Sequence, residues 1–185
     1  MKRTNRGILY IVFGELYIKE ALISAKSIKK INKDLDITLM CDKYTNSKYI
    51  DNCLLIQADH IRAKVDYIHK TPYEETIFLD SDTIANHDLS EMFSILERYD
   101  FSICHDYARK RKYVSKLIPE YEKIPYVFSE VNPGVMVFRN NSAVQGFFKN
   151  WRTLFYKYQS VMPWEQPTFR AALWQSELNF YIMPT

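Results

Sequence analysis

The sequence has few cysteines, little net charge and no long apolar run, and each shortage excludes a class of protein. Its three cysteines, Cys41, Cys53 and Cys104, form neither a CxxC pair nor a metal-ligand cluster. This pattern predicts a protein of a reducing compartment rather than a disulfide framework. The formal net charge of +3 is too small to indicate a nucleic-acid partner. No stretch approaches the ~20 apolar residues that a membrane span requires.

The N-terminal region also lacks the features of a secretory signal. Its apolar stretch, Ile8 to Phe13, is short and ends at Gly14-Glu15 without a small-residue cleavage site. We therefore expect a cytoplasmic protein without a membrane span. The length of 185 residues predicts a single domain, residues 1–185, with a sizeable core.

Two local excesses each allow a structural and a functional interpretation. The 14 tyrosines and 11 phenylalanines suit an aromatic core, and they also suit a ligand cleft. The basic run Arg109-Lys110-Arg111-Lys112 is either a solvated loop or a flap that meets phosphates or an anionic acceptor.

Short apolar runs alternate with helical patterns along the chain. Strands are predicted at residues 8–13, 37–41, 53–58, 76–79, 101–104, 135–138 and 178–183. Helices are predicted over 18–28 and 61–69, from Asp88 or Ser90, from Asn141 or Ser142 to Tyr158, and after Pro163. Residues 105–125 lack a clear period and are predicted to be a loop with some helix. The alternation predicts an α/β fold with a mixed, mainly parallel sheet flanked by helices.

The segment with the clearest chemistry is Asp80-Ser81-Asp82, directly after the predicted strand 76–79. Ligands bind at the carboxyl ends of strands in open α/β sheets. Two carboxylates one residue apart can face a single Mn²⁺ or Mg²⁺, which prefers oxygen ligands and shares its shell with substrate phosphates. The alternative is a strand-end turn in which these side chains only satisfy backbone groups.

The residues Pro72 to Thr83, PYEETIFLDSDT, resemble the metal-binding segment of the GT-A glycosyltransferases, in particular glycogenin and the bacterial lipooligosaccharide galactosyltransferases. The resemblance extends from the first strand to about Leu173. It implies a GT-A (Rossmann-like) fold, a UDP-sugar donor that also contacts Ser81, and Mn²⁺ or Mg²⁺ on Asp80 and Asp82. It further implies transfer, with retention, to a hydroxyl of a glycan, lipid or protein. An exposed aromatic C-terminal segment would allow a homodimer.

The resemblance also implies donor contacts near the start of the chain. Tyr17 would pack on the nucleotide base, although a helix-surface aromatic is the structural alternative. Phe13 and Gly14 replace the family's Thr-x-Asn-like stretch, which puts the base and ribose contacts in doubt. Lys64 would neutralise the diphosphate, with Arg62 as a weaker candidate, unless it is an ordinary solvated lysine.

The remaining implied site residues follow in matching order along the chain. Asp106 ends a predicted strand where the family contacts the donor sugar. Asn132 and Gly134 resemble the family's Asn-x-Gly strand entry, where glycine lets the backbone approach a ligand. Glu165 and Gln166 resemble the acidic-Gln pair beside the reacting sugar, although a glutamate in a first helical turn also suits the helix dipole.

One departure concerns the family's third metal ligand, a histidine in a C-terminal His-x-x-Gly-x-Lys-type segment that this sequence does not include. Water, phosphate or His87 would have to take its place, and we expect that the domain lacks this segment. A binding module that holds a sugar nucleotide without turnover is the main alternative. A phosphatase or phosphotransferase is disfavoured, because its Asp-x-Asp motif follows the first strand. A sugar-nucleotide synthase is disfavoured because no glycine-rich loop follows the first strand.

Overall fold

The computed structural model describes residues 6–108 and 110–184. Arg109, the first residue of the basic run, lies outside these ranges. The strands are β1 Arg6–Ile11, β2 Asp36–Cys41, β3 Asn52–Leu55, β4 Glu75–Leu79, β5 Phe101–His105, β6 Val131–Arg139 and β7 Phe180–Met183. The α-helices are α1 Glu15–Ile31, α2 Lys64–Tyr67, α3 Lys112–Ser115, α4 Pro119–Glu122, α5 Ser142–Tyr158 and α6 Glu165–Gln175. Two 3-10 helices cover Ile68–Lys70 and Ser90–Glu97.

All seven strands form one sheet in the order β3-β2-β1-β4-β6-β5-β7. β6 runs antiparallel to both of its neighbours, and every other pairing is parallel. The predicted α/β class with a mixed, mainly parallel sheet is therefore confirmed. Because β4 lies in the middle of the sheet and all five of its residues are buried, its carboxyl end is a rigid place from which to present side chains.

Helices cover both faces of the sheet and bury two apolar clusters. One lies beneath α5 and α6 and is rich in aromatic rings, including Phe101, Phe148 and Trp151. The other packs α1 against β1 and β2. The aromatic excess of the sequence therefore serves largely as core. The predicted capping of α5 is confirmed, because the Asn141 side chain accepts a hydrogen bond of 3.0 Å from the Val144 N–H.

Several element bounds differ from the sequence predictions. The strand predicted over 53–58 ends at Leu55, and the helix predicted over 61–69 is one α-turn followed by a 3-10 turn. β6 begins at Val131 rather than at Val135, because it pairs with β5 across a register shift between Ile103 and Cys104. The helix predicted near Asp88 is a 3-10 helix.

The cysteines are close in space where they are distant in sequence. Cys41 and Cys53 lie on the paired strands β2 and β3 with their sulfur atoms 3.7 Å apart, and both are free thiols. Within the described residues, no helix is long and apolar enough to cross a membrane.

Candidate active site

The centre of the site is the turn that follows β4. The Asp80 N–H donates to the Gly134 carbonyl at 2.7 Å, which extends the pairing of β4 with β6 by one residue. A Cβ at Gly134 would lie only 3.0 Å from Oδ2 of Asp80, so glycine is required for this close approach. The Ser81 hydroxyl donates to Oε2 of Glu20 on α1 at 2.9 Å. Asp80 is therefore fixed to β6 and Ser81 to α1, while Asp82 is exposed to solvent.

The ammonium of Lys64 is buried between two carboxylates. Its Nζ lies 2.9 Å from Oδ1 of Asp80 and 3.0 Å from Oε1 of Glu165, and only 7% of the lysine side chain is exposed. Burial alone would lower the pKa of Lys64, but the charges of Asp80 and Glu165 outweigh it and raise that pKa. Lys64 is thus a protonated, positioned cation, and the alternative of a solvated lysine is wrong.

The two carboxylates respond differently to the shared cation. Burial would raise the pKa of Glu165, but Lys64 and the nearby Arg62, 3.2 Å away, outweigh burial and lower it. For Asp80 desolvation prevails over the attraction of Lys64, and its pKa is raised. Asp80 therefore carries a negative charge that is only partly compensated, and a further cation would stabilise it.

A second cluster joins the end of β5 to the start of α6. Nε2 of Gln166 donates to Oδ2 of Asp106 at 2.8 Å, and Oδ1 of Asp106 accepts from the Ala108 N–H at 2.6 Å. On β6 the side chain of Asn132 accepts from the Gly134 N–H at 2.9 Å. The predicted residues Asp106, Asn132, Glu165 and Gln166 thus converge on one edge of the sheet.

Two cavities meet at Asp80 and Arg62. The smaller, of about 220 Å³, is also lined by Phe13, Tyr17 and Lys64. We call it the nucleotide chamber, after the base that the sequence resemblance places on Tyr17. The larger, of about 330 Å³, is also lined by the residues Asn132, Glu165, Gln166, Arg111, Tyr121 and Glu130. We call it the sugar chamber, after the sugar that the resemblance places beside Glu165 and Gln166. Together the two chambers form a cleft divided by the carboxylate of Asp80.

Gly14 does not line this cleft in the described structure. Its φ of 99° lies in the region that favours glycine, and its N–H donates to Oδ1 of Asp42 at 2.9 Å. Gly14 therefore turns the chain from β1 into α1 and holds no position in the cleft wall.

Glu130, a buried acidic residue that lines the sugar chamber, was not predicted from the sequence. Glu130 is 2% exposed, accepts a hydrogen bond from the Tyr121 hydroxyl and lies 3.7 Å from Nε of Arg170. Burial raises the pKa of Glu130, and Tyr121 and Arg170 offset this only in part. Its position just before the Asn-x-Gly segment was the only sequence signal, because Tyr121 and Arg170 are distant along the chain.

The acidic pair meets some of the requirements of a divalent cation. Among the described residues, no group of three or more His, Cys, Asp or Glu side chains could hold a metal. Asp80 and Asp82 supply oxygen donors only, which suits Mg²⁺ or Mn²⁺ that keeps several water or phosphate ligands. His87 is exposed and belongs to no such group, so its suggested role as a third ligand is not supported.

This mixed, mainly parallel sheet flanked by helices is the GT-A fold of the solved glycosyltransferases that it matches. Residues 74–185 match the family model described as nucleotide-diphospho-sugar transferase, and the chain belongs to that family. It is therefore a glycosyltransferase, and the resemblance predicted from the sequence is confirmed. The phosphatase alternative finds no support in this family.

Solved structures agree on the fold. The galactosyltransferase LgtC, in complex with donor and acceptor sugar analogues, superposes with a TM-score of 0.65 at 13% identity over 90% of this chain and 70% of that one. The glycosyltransferase GlyE of Streptococcus pneumoniae TIGR4 gives 0.67 at 16% identity, over 97% and 45% of the two chains. The bifunctional glycosyltransferase WbbM gives 0.65 at 13% identity, over 97% and 39%. No curated protein matches the sequence.

Proposed function

We propose that this glycosyltransferase takes its sugar from a UDP-linked donor and transfers it to a hydroxyl acceptor with the help of a divalent cation. The observation that carries the proposal is the bridge formed by Lys64 between Asp80 and Glu165, at 2.9 and 3.0 Å. It holds a cation and two carboxylates at the junction of the two chambers, where the bond between sugar and diphosphate would lie.

The nucleotide chamber suits the uracil base and ribose. Tyr17 and Phe13 line it, and Tyr17 keeps 38% of its surface exposed, so that its ring is available for stacking on a base. Lys64 would donate to the diphosphate oxygens by giving up one of its present acceptors, since Asp80, Glu165 and the Pro133 carbonyl already surround its ammonium. Ser81 lines the same chamber and would also contact the donor.

Asp80 and Asp82 would hold Mn²⁺ or Mg²⁺. The cation, when bound, would neutralise charge on the diphosphate as a Lewis acid. Asp80 supplies a partly compensated charge at the junction of the chambers, and Asp82 supplies an exposed carboxylate that needs no other bond to be broken.

The sugar chamber supplies groups that hold hydroxyls and stabilise developing positive charge. Asp106 fixes the amide nitrogen of Gln166, which directs the amide oxygen of Gln166 to the substrate. Glu165 keeps its charge because its pKa is lowered, so it stabilises positive charge at the anomeric carbon. Asp106 is committed to Gln166 and to the Ala108 N–H, which favours a mechanism in which the departing diphosphate takes the acceptor proton. Such a mechanism suits the proposed retention.

Calorimetric titration with UDP and Mn²⁺ tests the donor and the metal together. Asp80→Asn and Asp82→Asn should each weaken metal-dependent UDP binding by roughly tenfold or more, because a charge-assisted contact is lost. Asp34→Asn, at an exposed position in the turn between α1 and β2, is the matched control and should bind as the parent does. If both site variants bind UDP like the parent in the presence of Mn²⁺, the assignment of the acidic pair is wrong.

A second candidate is a catalytically impaired module that binds a sugar nucleotide or glycan. It is favoured by the presence of only two carboxylate ligands among the described residues, one of which is paired with Lys64. Donor hydrolysis measured beside donor affinity separates the two candidates. A module would bind the donor without releasing its sugar.

A further inference from the structure

A cavity of about 710 Å³ lies beside the loop that follows β3. Its volume is more than twice that of either the nucleotide or the sugar chamber, and it shares no lining residue with them. Its walls come from the loop after β3, from α2 with the 3-10 turn after it, and from α5. We call it the α5 cavity. A space of this volume falls within the range of small-molecule sites, about 300–1,000 Å³.

Gly146 lines the α5 cavity at an exposed position. It lies in the second turn of α5, where glycine costs about 1 kcal/mol relative to alanine. A Cβ at Gly146 would meet no heavy atom within 4 Å, so packing does not require glycine there. By contrast, Gly7 and Gly134 lie where a Cβ would meet neighbouring side chains. The missing side chain at Gly146 therefore provides space in the cavity and serves no internal contact.

One wall of the α5 cavity is a fixed polar cluster around Asp66. Oδ1 of Asp66 accepts from Nε of Arg152 at 2.7 Å, and Oδ2 accepts from the Tyr156 hydroxyl at 2.9 Å. Nε2 of His60 lies 3.2 Å from Oδ2 of Asp66. Because the Asp66 carboxylate is fully engaged, its negative charge is offset within the wall.

Two exposed lysines, Lys70 and Lys149, also line the α5 cavity. Among the described residues, neither Lys70 nor Lys149 has a carboxylate within 4.0 Å, while the ammonium of Lys70 lies 4.6 Å from the centre of the Tyr67 ring. The exposed Asp59 is the remaining carboxylate in the lining. The ammonium groups of Lys70 and Lys149 thus outnumber the one remaining carboxylate, that of Asp59. This excess of positive charge favours an anionic ligand.

The other lining groups match a sugar. The amides of Gln57 and Gln145 offer donors and acceptors for hydroxyls, and the rings of Tyr67 and Tyr156, each with a cation over one face, add apolar surface to the lining. Nε2 of Gln145 is held by the His69 carbonyl at 3.0 Å, which fixes this amide before a ligand arrives.

We infer that the α5 cavity is a second binding site, for a saccharide that carries a phosphate or a carboxylate. The site is separate from the transfer site, and the inference holds whether or not the proposed UDP donor is correct. It would let the enzyme hold an anionic glycan while the donor cleft remains accessible.

The test is direct binding of defined sugars to the full chain by calorimetry. Mannose 6-phosphate and trigalacturonic acid are the anionic probes, mannose and maltotriose the neutral ones, and inorganic phosphate the sugar-free one. At least one anionic sugar should bind roughly tenfold more tightly than its neutral counterpart and than phosphate alone. Equal binding of phosphate and mannose 6-phosphate, with no binding of trigalacturonic acid, would overturn the saccharide assignment. No binding of either anionic sugar would overturn the site.

Two kinds of variant locate the binding. Gly146→Phe should fill the cavity and abolish sugar binding, whereas Gly146→Ala adds one methyl group and should retain it. Lys70→Gln with Lys149→Gln should weaken the anionic probe by roughly tenfold and leave its neutral counterpart unchanged. This double variant decides the matter if Gly146→Phe does not fold. UDP affinity, measured for each variant without added sugar, should match that of the parent. Sugar binding that survives both Gly146→Phe and the lysine changes would contradict the location.

Discussion

Nζ of Lys64 lies 2.9 Å from Oδ1 and 3.1 Å from Oδ2 of Asp80, so one ammonium contacts both oxygens of the carboxylate that ends β4. The same nitrogen reaches Glu165 on a distant part of the chain, and this places the start of α6 beside β4. Two carboxylates are therefore held together by a single buried ammonium group. Any change at Lys64 acts on both chambers of the cleft.

Replacement of Lys64 by methionine should destabilise the fold as well as weaken donor binding. It leaves the carboxylates of Asp80 and Glu165 close together without their shared cation, and breaking a buried ion pair costs about 3–5 kcal/mol. The free energy of unfolding from urea titration measures the first effect and UDP affinity the second. Lys26→Met, at an exposed position on α1, is the matched control and should change stability by less than about 0.5 kcal/mol. Equal stability of the two variants would contradict the bridge.

A single methyl group at Gly134 should disturb the acidic turn. In Gly134→Ala the new Cβ would lie 3.0 Å from Oδ2 of Asp80 and 3.1 Å from Oδ1 of Asn132, so one of them must move. We expect a loss of about 1–3 kcal/mol of stability and weaker metal-dependent UDP binding. Gly146→Ala is the internal control, because its Cβ meets nothing within 4 Å and alanine is the better helix former. It should raise the melting temperature while Gly134→Ala lowers it.

The Asp106–Gln166 hydrogen bond should matter for turnover more than for nucleotide affinity. Gln166→Ala removes the side chain that Asp106 holds at 2.8 Å in the sugar chamber. We expect the rate of sugar transfer to fall on the order of 100-fold, because a preorganised group that faces developing charge is lost. UDP affinity should stay near that of the parent, since Gln166 does not line the nucleotide chamber. A variant that loses UDP affinity and keeps kcat would contradict this assignment.

Glu130 should make stability depend on pH in the opposite direction from an ordinary paired carboxylate. Burial raises its pKa in the folded state, so between the usual value of 4.5 and the raised one the folded protein holds a proton that the unfolded chain has lost. Stability from this group is fully present below pH 4.5 and is lost as the pH rises through that interval. Glu130→Gln has no carboxyl group to titrate, so its stability should not fall with pH for this reason.

The parent should therefore lose stability relative to Glu130→Gln as the pH rises above about 4.5. Urea unfolding of both proteins at several pH values in this interval measures the difference. Glu177→Gln, at an exposed position after α6, should track the parent at every pH. A stability difference between parent and Glu130→Gln that is constant with pH, or that grows in favour of the parent, would show that the pKa of Glu130 is not raised.

Part of this site could be predicted because it depends on local sequence. A buried run such as 76–79 is followed directly by Asp80, and the carboxyl ends of parallel strands meet at one edge of the sheet. Asp106 also ends a predicted strand, but its place in the site came from the family resemblance. Gly134 and Glu165 were placed by their order in the family resemblance, and the structure brings both to the same edge.

The rest could not be predicted because it depends on contacts between distant segments. The sequence contains nothing that pairs Lys64 with Glu165, or Glu130 with Tyr121 and Arg170 across separate elements. The bounds of α2 and β6 were wrong for a related reason, since a single helical turn and a register shift are set by packing against neighbours and not by periodicity.

The single turn of α2 has a consequence for how the protein responds to its ligands. Lys64 points from this turn to the donor cleft, and Asp66, two residues later, points to the α5 cavity. Both sites therefore take a side chain from the same four residues. If a molecule in the α5 cavity changes donor affinity by some factor, thermodynamic reciprocity requires the donor to change the affinity of that molecule by the same factor. Each ligand would then act as an effector of the other.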